Sequence, residues 1–484
     1  ITVAGTLTML AEQFDAAGGM KISGTGALWL EATQATTTVN WTDSAQTPAY
    51  YISNTSLAST LDVQDSTTLV AAGSGLMPTA MQIKVEASQT LTSGYAYVSG
   101  RTIYDAAHQY SYNAQTGTYT ETGGTLVVTG SSVSALDLSH VTIGTLDLTQ
   151  YGGTLFTGLW TDLSDHVLLM NDTQASGHAF TASGDGGALT VMATTPATYH
   201  DFSGIGASVN SLLVVGGAAD MADAISGANH TLLNVFSHVE LNYASGLLTV
   251  SADQVNGMTA NRFTGTGGLY VRDDAATYHS GAETLYGSNN NDTFAGGGYG
   301  DTVDLTGTGN TGGGTDTVLF STLAGSSGHT VDFSIAGFTT GAGTGHDVLN
   351  FSALSAHTAH SGTGDVSAVS LAAVPALLGQ EVIVVTDSFG ADASGVASVF
   401  GAGSNLLNKA LAAAGNTDAI FVVALADPNN SGSGAPSVNF GVWHWQEASG
   451  GNGYVHAAEL TEIGVLHSLN QTQIAAMTSA NVIG

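Results

Sequence analysis

The chain has 484 residues, 64 of them Gly, with 6 Lys and Arg against 38 Asp and Glu and a formal net charge of −32. So few cations exclude a phosphate-tracking nucleic-acid surface and a polybasic membrane anchor. The absence of cysteine excludes thiol catalysis, Cys-ligated zinc and a disulfide framework.

The 28 Asp outnumber 10 Glu, and the acidity comes from missing bases rather than from a surface dense in carboxylates. The longest apolar runs, such as 419–426, fall far short of the ~20 residues that cross a bilayer. A hydrophobic content of 43% suits a folded chain. The length suits roughly two to four domains.

From the N-terminus onward, Thr, Val, Leu, Ile and Tyr alternate at period two between clusters of Gly, Ser, Asn and Asp. Gly5–Phe14 matches Gly246–Val255, and Gly24–Leu30 matches Gly265–Val271, both at an offset of 241. The two blocks predict the same unit twice: a strand, a short helical turn and a second strand. Gly124–Gly130, Leu136–Leu138 and Leu146–Thr149 read as further short strands between tight turns. The expected fold is mainly β, with tandem β-sandwich or β-solenoid modules over 1–130 and 131–282. A mixed α/β domain follows over 357–484, with helical spacing over Ser367–Gly379 and Val396–Ala414.

Between these parts, residues 283–356 differ in kind. Gly287-Ser288-Asn289-Asn290-Asn291-Asp292-Thr293-Phe294 is followed by Gly296-Gly297-Gly298-Tyr299-Gly300-Asp301-Thr302-Val303. In each stretch the acid stands two residues before an apolar one, and Asp301 lies nine residues after Asp292. Gly314-Thr315-Asp316-Thr317-Val318 and Gly345-His346-Asp347-Val348-Leu349 repeat the pattern at wider spacing. A Gly-rich turn ending in Asp aims carbonyl oxygens and a carboxylate at one hard cation, and glycine supplies the crowded backbone positions. Calcium accepts 6–8 oxygens in flexible geometry, which such turns can supply. The candidate metal ligands are Asp292, Asp301, Asp304, Asp316, Asp332 and Asp347, with the turn residues Gly287, Asn289, Gly296 and Gly298. The expected cofactor is Ca2+.

This segment resembles the repeats-in-toxin (RTX) calcium β-roll, whose nonapeptide is G-G-x-G-x-D-x-U-x. Ser288 and Asn290 stand at the second and fourth glycine positions of the first repeat, and Tyr299 replaces a glycine in the second. The flanks Asp316–Phe320, Val331–Phe333 and Asp347–Ser352, with 419–464, are similar to the tail of type I-secreted bacterial surface proteins. The resemblance covers roughly 283–484. It implies export of an unfolded chain on an uncleaved C-terminal signal within 357–484. It also implies folding outside the cell when calcium binds.

Other motifs point elsewhere or nowhere. Asn452–Glu459 occupies the second half of an EF-hand-like loop, but Ala448 and Gly450 at its first and third positions carry no ligating side chain. H-E-x-x-H and G-x-S-x-G are absent, which argues against the zinc-protease and lipase branches. The pair His357 and His360 reads as polar loop, with metal ligation as the alternative, and the acid pairs at 162–165 and 273–274 read as solvated turns or extra calcium ligands. Trp443 and Trp445 alternate on a strand that packs one face, with sugar stacking as the alternative.

The sequence therefore predicts a non-enzymatic structural protein at the bacterial cell surface. It would assemble with copies of itself and calcium into a surface layer or filament, with cell-surface polysaccharide as a further partner. No nucleic acid and no membrane insertion are expected. Two alternatives are an adhesin or glycan-binding protein and a β-helix polysaccharide lyase or epimerase. The second needs basic residues to neutralise uronates, and only six are present, among them Arg262 and Arg272.

Overall fold

The computed structural model describes residues 2–483 apart from 12, 14–20, 26, 35, 40–50, 53–57, 72–81, 106–108, 114–117, 184–186, 194–199, 217–234, 245, 256–257, 259–261, 273–281, 296–299, 306–313, 321–332, 343–344, 353, 355–365, 370–381, 401–417, 427–437 and 448–454. The fold is mainly β, 50% strand and 11% helix, with several parallel sheets. No helix among the described residues is long and apolar enough to cross a membrane. The chain divides into two compact units. The first holds 1–195, 200–215 and 235–238, and the second holds the rest.

In the first unit the chain passes back and forth between two parallel sheets. Ala27–Ala32 is followed by Thr36–Val39, Ala58–Val63 by Thr67–Ala71, and Gln82–Val85 by Thr90–Gly94. The first member of each pair joins one sheet and the second joins the other. Period-two alternation explains why one face of each strand goes inside. Leu30, Leu61, Ile83 and Ile103 stack in register as one buried column. Leu91, Leu126, Leu146, Leu168 and Leu189 stack as another. Burial of each such side chain contributes about 1.5–3 kcal/mol. Strands on both sides of residue 130 belong to the same sheet, since Thr125–Thr129 pairs with Thr145–Asp147.

Turns are tied down by side chains that reach across. The Asp105 carboxylate accepts the backbone N–H of Gly124 at 3.0 Å and of Gly144 at 2.9 Å. Gly187 is required by space, because a Cβ there would lie 1.8 Å from the Leu163 carbonyl oxygen. A recurring corner is a glutamine three or four residues past a strand end. Gln13, Gln174, Gln254 and Gln473 accept the backbone N–H of Leu10, Asn171, Ser251 and Asn470 at 2.9–3.0 Å. This is the side chain-to-backbone half of a capping box.

The repeat at offset 241 is a structural repeat. Thr6–Leu10 pairs in parallel with Ala27–Ala32, Leu7 opposite Leu28. In the second unit Leu247–Ser251 pairs with Gly268–Arg272, Leu248 opposite Leu269. Both first strands run into a helical turn that carries one of the glutamines above.

The second unit contains two more sheets. One is wholly parallel and runs Leu247–Ser251, Gly268–Arg272, Thr293–Ala295, Thr317–Leu319, Val348–Asn350, Val482–Ile483. The other starts with Thr284–Tyr286, Asp301–Asp304 and Phe333–Ala336, then continues through Leu460–Leu469 into the C-terminal strands. Two antiparallel pairings flank Val438–Gln446. Helix Ala393–Phe400 buries Val396 and Val399 against Ile383, Phe421, Trp443 and Trp445. Helical spacing over Val396–Ala414 is met in part by this helix, with 401–417 outside the described residues. Over Ser367–Gly379 the outcome differs. Val366–Val369 is a strand paired in parallel with Val382–Val385, and 370–379 lie outside the described residues.

Candidate metal centre

The residues singled out by the glycine–aspartate pattern fall on two edges of the second unit. On one, Val271, Phe294, Val318 and Leu349 form a buried column across four parallel strands. Two residues before each stand Leu269, Asp292, Asp316 and Asp347. These are linked in order. The Leu269 N–H donates to Asp292 Oδ1 at 2.7 Å, the Asp292 N–H to Asp316 Oδ1 at 2.9 Å, and the Asp316 N–H to Asp347 Oδ1 at 3.1 Å. Each carboxylate reaches back to the strand before it, and all three are buried.

Neighbouring turns complete the shell. Asp292 Oδ2 accepts the Ser288 N–H at 2.6 Å, and the Ser288 hydroxyl donates to Oδ1 at 2.8 Å. Asp347 Oδ2 accepts the Thr339 N–H at 2.7 Å. Gly287 is needed for this approach, since a Cβ there would sit 2.3 Å from Asp292 Oδ2. Asn290 Nδ2 donates to the carbonyls of Gly265 and Gly267 at 3.0 and 2.9 Å. Asn481 ends the column, donating from Nδ2 to the Asp347 carbonyl at 2.8 Å.

On the other edge, Asp301 leads a strand whose Val303 aligns with Leu285 and Ile335. Its Oδ1 accepts the Glu283 N–H at 3.0 Å. Its Oδ2 is buried and takes no hydrogen bond among the described residues. That atom is the observation that fits a cation, because a buried carboxylate oxygen is costly without a partner. Glu283 stands nine residues before Asp292 and two before apolar Leu285. It therefore follows the same acid-then-apolar spacing, and sequence reasoning missed it only because Glu replaces Asp.

Electrostatics in the Asp292 column favour neutralisation. Burial raises the pKa of Asp292 against the opposing hydrogen bonds from Leu269 and Ser288. Burial also raises Asp316, and the Asp292 and Asp347 charges add to it. Asp347 is pushed up to about 6, mainly by burial. Ionised carboxylates on successive strands thus call for protons or a cation, and few Lys or Arg exist in the chain to serve.

The remaining candidates separate. Asp304 lies in register with Tyr286 at the end of its strand and is half-buried. Asn289 is exposed. Asp332, Gly296 and Gly298 lie outside the described residues. No group of three or more His, Asp or Glu converges on one point among the described residues. The column is a ladder in which each carboxylate first satisfies backbone amides. Trp443 and Trp445 are 4% and 0% exposed, so neither presents a face to a sugar. Glu459 Oε2 accepts the Trp445 indole N–H at 3.1 Å and the His456 N–H at 3.2 Å, a structural cap at the end of the EF-hand-like stretch.

The chain matches no protein-family model, no curated protein and no solved structure.

Proposed function

We propose that this chain is an exported structural protein of the repeats-in-toxin type, which folds with calcium and self-assembles at the cell surface into a layer or filament. The observation that carries the reading is the buried column of Asp292, Asp316 and Asp347 on three successive strands. Neutral pH ionises ordinary carboxylates, and a divalent ion stabilises the ionised column. Asp301, through its unpartnered Oδ2, would hold an ion with Glu283 on one edge, and on the other Asp292, Asp316 and Asp347 would each lend an oxygen to separate ions between turns, with backbone carbonyls of the glycine turns completing each oxygen shell. The ion supplies charge neutralisation and a bridge between successive turns.

The finer fold belongs to the same reading. Many strands return to their own sheet after roughly 20–24 residues, with longer steps between others such as Leu30 and Leu61; this is near the period of a repeat architecture, and we read both units as β-solenoids. Such stacks are quasi-one-dimensional and suit lattice or fibre subunits. The net charge of −32 opposes close approach of copies, and calcium bound to surface carboxylates would relieve that repulsion.

The test is chelation of purified protein followed by stepwise return of calcium, read by far-UV circular dichroism and negative-stain microscopy. Ordered sheets or fibres that dissolve in chelator and re-form with calcium support the reading. A folded monomer unaffected by either step ends it.

A further inference from the structure

We propose that Lys84 and Asp62 are joined by an intramolecular isopeptide bond, formed with Glu86 as the proton carrier. The two residues lie opposite each other on adjacent parallel strands, Gln82–Val85 and Ala58–Val63. Lys84 Nζ stands 3.5 Å from Asp62 Oδ1 and donates a hydrogen bond to Glu86 Oε1. Asp62 is 5% exposed although its row faces away from the main core, and only 18% of the Lys84 side chain is exposed. The Trp29 ring lies 5.8 Å from Nζ and covers the ammonium on another side. Among the described residues Asp62 Oδ1 takes no hydrogen bond, and Oδ2 has only a long 3.5 Å contact from Gln64 Nε2.

A desolvated ion pair in this geometry gains little from Coulomb attraction over what it loses in hydration. Condensation removes both charges. One ammonium proton passes through Glu86 to Asp62, which leaves a neutral amine beside a neutral carboxyl group. Nζ attacks Cγ and the C–N bond forms. A second proton leaves the nitrogen through Glu86 to the carboxyl-derived hydroxyl, the C–O bond breaks, and one water departs. The amide nitrogen keeps one hydrogen, Glu86 is regenerated, and no oxidant or cofactor is consumed. The Glu86 hydrogen bond and the Asp62 charge favour the ammonium in the starting pair, although burial opposes it. The reaction is therefore a slow maturation step. Its product ties two strands covalently in a chain that has no cysteine.

Intact-mass spectrometry of the full chain after prolonged incubation tests this. The expected mass is lower than the sequence mass by one water, with Lys84 and Asp62 recovered in a single branched peptide after proteolysis. An Asp62→Asn variant should lose ammonia instead of water, and Glu86→Gln should remain at full mass. A wild-type chain that stays at its full sequence mass overturns the proposal without recourse to any variant. So does a water loss that persists in Lys84→Arg.

Discussion

Replacing Asp316 by asparagine separates the charge of the central column residue from its hydrogen bonding. Asn keeps an Oδ1 acceptor for the Asp292 N–H, now at 2.9 Å, so the amide is not orphaned. It removes the charge that lies between Asp292 and Asp347. Adjacent strands are about 4.8 Å apart, so at an effective dielectric of ~20 each ionised neighbour repels by about 3 kcal/mol. Protonation relieves part of that in the wild type. In chelator at mildly alkaline pH, Asp316→Asn should therefore be more stable than the wild type by up to about 3 kcal/mol. With calcium the gap should close. A ligand at a hundredfold excess over its dissociation constant stabilises by about 2.7 kcal/mol, and the variant should forfeit most of this. Urea unfolding followed by tryptophan fluorescence, with and without calcium, reads both effects. Parallel curves shifted equally in the two conditions would contradict this, because a purely structural side chain has no reason to respond to the metal.

Three further outcomes follow from the same structure. Without calcium the protein should lose stability as pH rises. A folded pKa of about 6 for Asp347, against 3.8 unfolded, means its contribution is present below about pH 4 and gone above about pH 6, worth about 3 kcal/mol; a chelated sample as stable at pH 7.5 as at pH 4.5 would contradict this. Gly287→Ala should weaken calcium-dependent stabilisation, because its Cβ meets Asp292 Oδ2 at 2.3 Å; calcium titration of unfolding checks it. Leu146→Ala removes the centre of a buried leucine column in the first unit and should cost about 2–5 kcal/mol in urea unfolding with no change in calcium response.

Much of this was legible in the sequence. Period-two alternation marks the strands, and the 241-residue offset identifies two blocks that pair in the same way, Leu7 with Leu28 and Leu248 with Leu269. The spacing of Asp292, Asp316 and Asp347 before apolar residues marks the start of three short strands, whereas the pairing of Asp292 with Asp301 as neighbouring repeats does not show that they lead strands of different sheets. What it conceals is the partner of each carboxylate. Spacing alone suggests that turn oxygens converge on an ion, whereas the carboxylates also accept amides from the preceding strand, a long-range relation set by register. The strand at Val366–Val369 shows the other limit, since a short apolar run reads as helix or strand until its neighbour Val382–Val385 is known. Glu283 was hidden by residue type, and the Lys84, Asp62 and Glu86 cluster by sequence separation, since Asp62 meets Lys84 only through strand pairing.

An anomalous difference map from crystals of the full chain grown in calcium bears most directly on whether a cation neutralises the aspartate ladder. Density is expected within calcium–oxygen bonding distance of carboxylates from the Asp292, Asp316 and Asp347 column or from Asp301. Well-ordered carboxylates that hold only backbone amides, with no cation beside any of them at millimolar calcium, would contradict it.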